Sequence, residues 1–155
     1  MKYNHTCTGY LVDDVEKTVA FYRDTLGFRI TRQSETFAQL ASGENTILFF
    51  WKWEHLCAHL GEEPMQKVKH RVQSAIQFSK PEDVDAAYEE LIAEGVDFVS
   101  PPADWEWNAH AAYFVDENGY MWELYCWLKK LAIPTCRERR IMPHGGNGAI
   151  YAAHC

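Results

Sequence analysis

The sequence predicts an α+β domain in which one β-α-β-β-β unit is written twice. Two observations carry this reading. An apolar stripe at helical spacing, opened by acidic residues and closed by glycine, occurs at two well-separated places. Each stripe is preceded by one strand-like segment and followed by three more. In the first copy, residues 4–12 are rich in Thr and Tyr and read as a strand. Asp13-Asp14 stands where an N-cap belongs, Val15, Thr18, Val19, Tyr22 and Leu26 form the stripe, and Gly27 supplies the left-handed residue that ends a helix. Strands follow at 29–33, 36–41 and 46–51, the last two joined by Ser42-Gly43-Glu44-Asn45.

The second copy opens with a strand at 71–79 and takes Glu82-Asp83 as its cap. Val84, Ala87, Tyr88, Leu91 and Ile92 form its stripe, and Gly95 is its stop. Strands at 97–100, 111–115 and 120–127 complete it, with Glu117-Asn118-Gly119 as a hairpin turn. An open sheet of about four strands with one helix leaves a face uncovered, so the two copies are expected to pack side by side and share a core. The organisation is therefore one domain, 1–128, made of repeats 4–51 and 70–127 around a polar linker, 52–69. A tail, 129–155, has little apolar periodicity.

The chain has 155 residues, of which 47% are hydrophobic, 14% aromatic and 24% charged, the profile of one folded domain. Fifteen Lys and Arg against 22 Asp and Glu give a net charge of −7, which repels phosphate backbones and argues against nucleic acid as a partner. No apolar run approaches the ~20 residues of a membrane span, and the first residues carry no apolar signal core. Five cysteines with no close-spaced pair suit reduced thiols, so a cytoplasmic location is expected.

Residues 12–28, Val-Asp-Asp-Val-Glu-Lys-Thr-Val-Ala-Phe-Tyr-Arg-Asp-Thr-Leu-Gly-Phe, resemble the first-helix signature of the vicinal oxygen chelate superfamily. This group includes glyoxalase I, bleomycin-resistance proteins and extradiol dioxygenases. Residues 112–124, Ala-Tyr-Phe-Val-Asp-Glu-Asn-Gly-Tyr-Met-Trp-Glu-Leu, resemble its closing hairpin, with Glu117 and Asn118 replacing the usual Pro and Asp. The resemblance implies two tandem βαβββ modules forming cup-shaped mixed sheets. It also implies a homodimer, or a fused pair of modules in one chain. It leaves function open, because the superfamily holds enzymes and plain binding proteins.

Metal-dependent members hold a divalent ion in the cup with His or Glu from the first and last strands of each repeat. Carried onto this chain, those positions fall on Cys7, Leu48, Gln73 or Ser74, and Glu123. Cys7 reads as a small buried hydrophobe, and Leu48 with its neighbours Ile47 and Phe49 offers no donor. Only Glu123 matches, so no metal or other cofactor is expected at this place. The alternative is a divalent Zn, Ni, Fe or Mn held by His5, Glu123 and a displaced third donor, His70 or His110. Glu123 would then also be the catalytic carboxylate. Separately, His55 and His59, with Cys57 between them, would form a metal clamp if their segment were helical, but it reads as a polar linker.

Six tryptophans exceed the needs of a core this size. Trp51 and Trp53 end a strand, and Trp105 and Trp107 lie on the loop entering the second hairpin. Trp122 and Trp127 read as core or dimer-contact aromatics. Phe49, Trp51, Trp105 and Trp107 are expected to stack on a flat ligand, with Glu106 and Glu123 setting its orientation and His110 touching it. Glu54 and Asp104 would add counter-charge. The leading expectation is a small-molecule-binding protein resembling the bleomycin-resistance branch, which captures a planar ligand, cationic or neutral, in an aromatic cleft without metal. The alternative is a metal-dependent lyase or isomerase resembling glyoxalase I, or a dioxygenase.

Overall fold

The computed structural model describes residues 1–42 and 46–128. Their elements run β1 (His5–Val12), α1 (Val15–Asp24), β2 (Arg29–Gln33), β3 (Phe37–Ser42), β4 (Thr46–Lys52), α2 (Trp53–Leu60), α3 (Glu62–Met65), β5 (Val72–Gln77), α4 (Pro81–Ala93), β6 (Phe98–Trp105), β7 (Ala109–Val115) and β8 (Met121–Trp127). The β-α-β-β-β pattern is present twice. The turn expected at 42–45 falls largely, and the tail 129–155 wholly, outside the described residues.

All eight strands form one curled sheet, in the order β2-β3-β4-β1-β5-β8-β7-β6. Each repeat closes by a parallel pair, β1 with β4 and β5 with β8, and antiparallel pairing of β1 with β5 joins the repeats. The two-residue side-chain period sorts each strand between two faces. On one face, Val15 and Val19 of α1 pack on Leu40 and Phe50, and Val84 and Ala87 of α4 pack on Leu124 and Cys126. On the other face, Phe49, Trp51, Ala111, Tyr113 and Tyr125 form a third cluster with Leu56 and Leu60 of α2. Gly9 allows Phe49 to lie across β1, since a Cβ there would come within 2.3 Å of the Phe49 ring.

Asp14 caps α1, its side chain accepting from Lys17 N at 2.9 Å, and Gly27, Gly95 and Gly119 adopt φ values of 72°, 89° and 88° at the expected stops and turn. Three expectations need correction. The 52–69 segment contains α2 and α3, because Leu56, Leu60 and Met65 are buried and give it an apolar side. The N-cap of α4 is Lys80 and Pro81 opens the helix, so Glu82 and Asp83 lie in its first turn, where they complement the helix dipole. Finally, β6 extends to Trp105 through Pro101 and Pro102. It is an edge strand whose register shifts between Ser100 and Ala103, where prolines cost no ladder hydrogen bond.

Candidate functional site

The curled face encloses a cavity of about 830 Å³ lined by both repeats. Phe37, Phe49 and Trp51 come from the first, and Trp107, Tyr125 and Trp127 from the second. Both repeats of one chain therefore contribute to the cup. The tight turn after β6 sets the orientation of Trp107: Asn108 takes a left-handed φ of 67° and its N–H donates to Trp105 O at 3.0 Å.

Across β1, β5 and β8, Cys7, Ala75 and Glu123 lie in register. Glu123 lines the cavity yet is only 6% exposed. Its carboxyl accepts from the Tyr113 hydroxyl at 2.7 Å and from Gln73 Nε2 at 2.9 Å. Burial raises its pKa to about 7, although both hydrogen bonds pull it down. Burial and then the Glu123 charge push the Cys7 thiol up to about 11. The Tyr125 hydroxyl is raised by burial, and further by Cys7 and Glu123. Near neutral pH this row therefore holds a thiol, a phenol and one carboxyl poised to gain or lose a proton. Arg32 adds a cation at the cavity, its guanidinium 4.6 Å over the Trp127 ring. Among the described residues, Gln73 Oε1 is buried without a hydrogen-bond partner.

The residues at the family's ion position do not fit an ion. Leu48 packs on the α1 side, so the cup-facing positions of β4 are Ile47, Phe49 and Trp51. Gln73 turns its amide nitrogen to Glu123 and offers one neutral oxygen, Ala75 has no donor, and the Cys7 thiol resists ionisation. His5 lines the cavity but pairs with Gln77, two residues along β1 from Cys7. His70 stacks on Tyr120 at 4.5 Å and is not among the residues lining the cavity. A single carboxylate with both oxygens already hydrogen-bonded does not make a three-donor site.

Of the residues expected to meet a ligand, Phe49, Trp51, Trp107 and Glu123 lie on the cavity, and Trp105, Glu106 and His110 do not. Trp105 stacks behind Trp107 at 4.8 Å and donates to Ala111 O. His110 follows the strand period to the α4 side, where its ring meets Asp104 at 2.6 Å and Asp85 at 2.9 Å. Burial pushes its pKa down, but the two carboxylates outweigh this and leave it raised. Glu106 points to His59, and Glu54 to Lys52 at 3.3 Å. The acidic counter-charge expected around the ligand is thus reduced to Glu123, opposed by Arg32. Trp127, expected from the sequence as a core or dimer-contact aromatic, lines the cavity together with Tyr125. The two-residue period counted forward from Glu123 would have found both.

The condition on the His55–His59 pair is met, because both lie on α2. With Glu106 they form a triad whose nearest ligand atoms all lie within 4.8 Å of one another. Burial, and then the neighbouring His59, lower the pKa of His55. None of the three lines the cup, but Trp51 and Trp107, which do, contact their rings.

The sequence profile of the glyoxalase/bleomycin resistance protein/dioxygenase superfamily matches residues 2–124. YraH, an uncharacterized protein of Bacillus subtilis, is 35% identical over 120 residues, 74% of this chain and 91% of its own. A Legionella pneumophila structure described as an NAD-dependent benzaldehyde dehydrogenase superposes with a TM-score of 0.67 at 18% identity, over 79% of this chain and 99% of its own. Methylmalonyl-CoA epimerase of Streptomyces coelicolor does so with 0.62 at 18% identity, over 83% and 100%. At such identity the two structures speak for the fold alone. The profile match over most of the chain, the repeated β-α-β-β-β topology and the cup between the repeats make this chain a member of the glyoxalase/bleomycin resistance protein/dioxygenase superfamily.

Proposed function

We propose that the protein binds a planar, largely apolar small molecule in the cup and sequesters it, with no metal at the family's ion position. The observation that supports this most is the aromatic lining of the 830 Å³ cavity, which closes on one buried, titratable carboxyl. Phe37, Phe49 and Trp51 face Trp107, Tyr125 and Trp127, so a flat ring system finds π-faces from both repeats. Glu123 meets a hydrogen-bonding or weakly basic group of the ligand, and Arg32 an electron-rich one. Tryptophan-fluorescence titration with proflavine, a planar cation, and with anilinonaphthalene sulfonate, a flat anion, tests the reading. Saturable quenching at one site, weakened at least tenfold by Trp127→Ala, supports it. Absence of quenching across a broad panel of planar dyes overturns it.

A second reading, proton transfer, is favoured by the pKa of Glu123 near 7, which suits a general base at neutral pH. The carboxylate would take a proton from a carbon next to a substrate carbonyl, the C–H electron pair passing into an enolate. Glu123 would return the proton to that carbon. The epimerase named above shares the fold and is a reason to include thioesters among the substrates tried. Exchange of such a proton for deuterium, abolished by Glu123→Gln, would establish turnover; its absence over a range of ketones and thioesters leaves capture as the function.

A further inference from the structure

His55 and His59 stand one helical turn apart on α2, with Glu106 reaching them from the turn after β6. His59 Nδ1 lies 2.8 Å from His55 O. A carbonyl only accepts, so this nitrogen carries the hydrogen and the lone pair of the neutral ring is on Nε2. That Nε2 lies 3.2 Å from Glu106 Oε1, an acceptor facing an acceptor. Something positive must lie between them, either a proton or a metal ion. The His55 ring is close by, its centroid 4.2 Å from that of His59. A backbone carbonyl that fixes the tautomer and aims the other nitrogen outward is the usual second partner of a metal-binding histidine.

We propose that His55, His59 and Glu106 bind one divalent cation of the zinc type, at a site separate from the cup. Two imidazoles and a carboxylate are a donor set that suits such ions, with bonds of ~2.0–2.1 Å and a remaining position for water. Closing from the present separations takes a small movement, which the exposed Glu106 side chain supplies. The consequence is mechanical. Trp51 stacks parallel to His55 at 5.6 Å, and Trp107 packs edge-on to His55 and His59 at 5.6 and 5.3 Å. An ion here ties α2 to the β6–β7 turn and fixes the two aromatic side chains that these histidines share with the cavity wall.

The test is zinc alone, titrated by calorimetry into the full chain stripped with EDTA, with thermal unfolding recorded in parallel. One equivalent is expected to bind with micromolar or tighter affinity and to raise Tm. His59→Gln should abolish both effects. Glu106→Gln, a surface change that leaves packing intact, should weaken binding at least tenfold. His5→Gln and Glu123→Gln should leave both effects unchanged. The proposal is overturned if no zinc binds at micromolar concentration, if binding survives the His55→Gln/His59→Gln double variant, or if it is lost with His5→Gln or Glu123→Gln.

Discussion

The Tyr113 hydroxyl donates to Glu123 Oε1 at 2.7 Å, and Gln73 Nε2 donates to Oε2 of the same carboxyl. Both donors belong to neighbouring strands, Tyr113 opposite Glu123 on β7 and Gln73 on β5, so strand register alone brings the three together. This arrangement occupies the one carboxylate that a metal at the family's position would need. It also leaves a neutral-pH acid within an aromatic cup.

Glu123 makes stability depend on pH in a definite direction. Its pKa rises on folding from 4.5 to about 7, so its contribution is fully present below the unfolded value and is lost as pH climbs through that window. Between about pH 4 and pH 8 the loss is on the order of 3 kcal/mol. Glu123→Gln should flatten this part of the profile and be more stable than the parent at about pH 8. Urea melts at both pH values measure the difference. His110 titrates in the same direction, so the comparison is between the slopes of the two proteins.

Tyr113→Phe removes a donor from a buried carboxyl. Its cost should be about 1–3 kcal/mol at alkaline pH, where Glu123 is charged, and smaller at about pH 5. The hydroxyl now pulls the Glu123 pKa down, so the same variant should move that pKa upward. A larger cost at low than at high pH would contradict the assignment.

Gly9→Ala tests the close packing beneath the cup. The added methyl meets both the Phe49 ring and the Phe49 carbonyl at under 3 Å, so a rotamer change cannot relieve it. Destabilisation of about 1–3 kcal/mol is expected, together with weaker dye binding as Phe49 is displaced. A neutral melt would show that β1 and β4 are looser than described.

Arg32→Gln should shift ligand preference. It leaves Glu123 as the charged group within the cavity lining, so affinity for proflavine should rise and affinity for the anionic dye should fall, each about tenfold or less. Equal changes for both dyes would mean that Arg32 acts through the packing of Trp127 instead.

The repeat was legible because each helix carries its stripe and glycine stop, and because Glu123 sits inside a recognisable hairpin. The site was legible where strand alternation reached it: Phe49 and Trp51 alternate with Leu48 and Phe50, and one set faces the cup. Trp105 and Glu106 could not be placed this way, because the left-handed turn at Asn108 follows them and sets the local chain direction. The sequence pattern sets His110 just before its strand; β7 begins one residue ahead of it, at Ala109, so alternation turns His110 away from the cup, toward Asp85 of α4. The helicity of α2 was hidden for a similar reason. Its burial is set by the third core cluster, and with only Leu56 and Leu60 buried in eight residues its stripe is too short to stand out beside the polar run at 61–69.

The most direct test of the closed, ligand-facing carboxyl is a carbon-13 NMR titration of the Glu123 side chain, run with and without zinc. The account predicts a midpoint of about 7 that zinc leaves in place, since the ion binds elsewhere. A midpoint near 4.5, or a carboxyl held ionised by zinc, would contradict it.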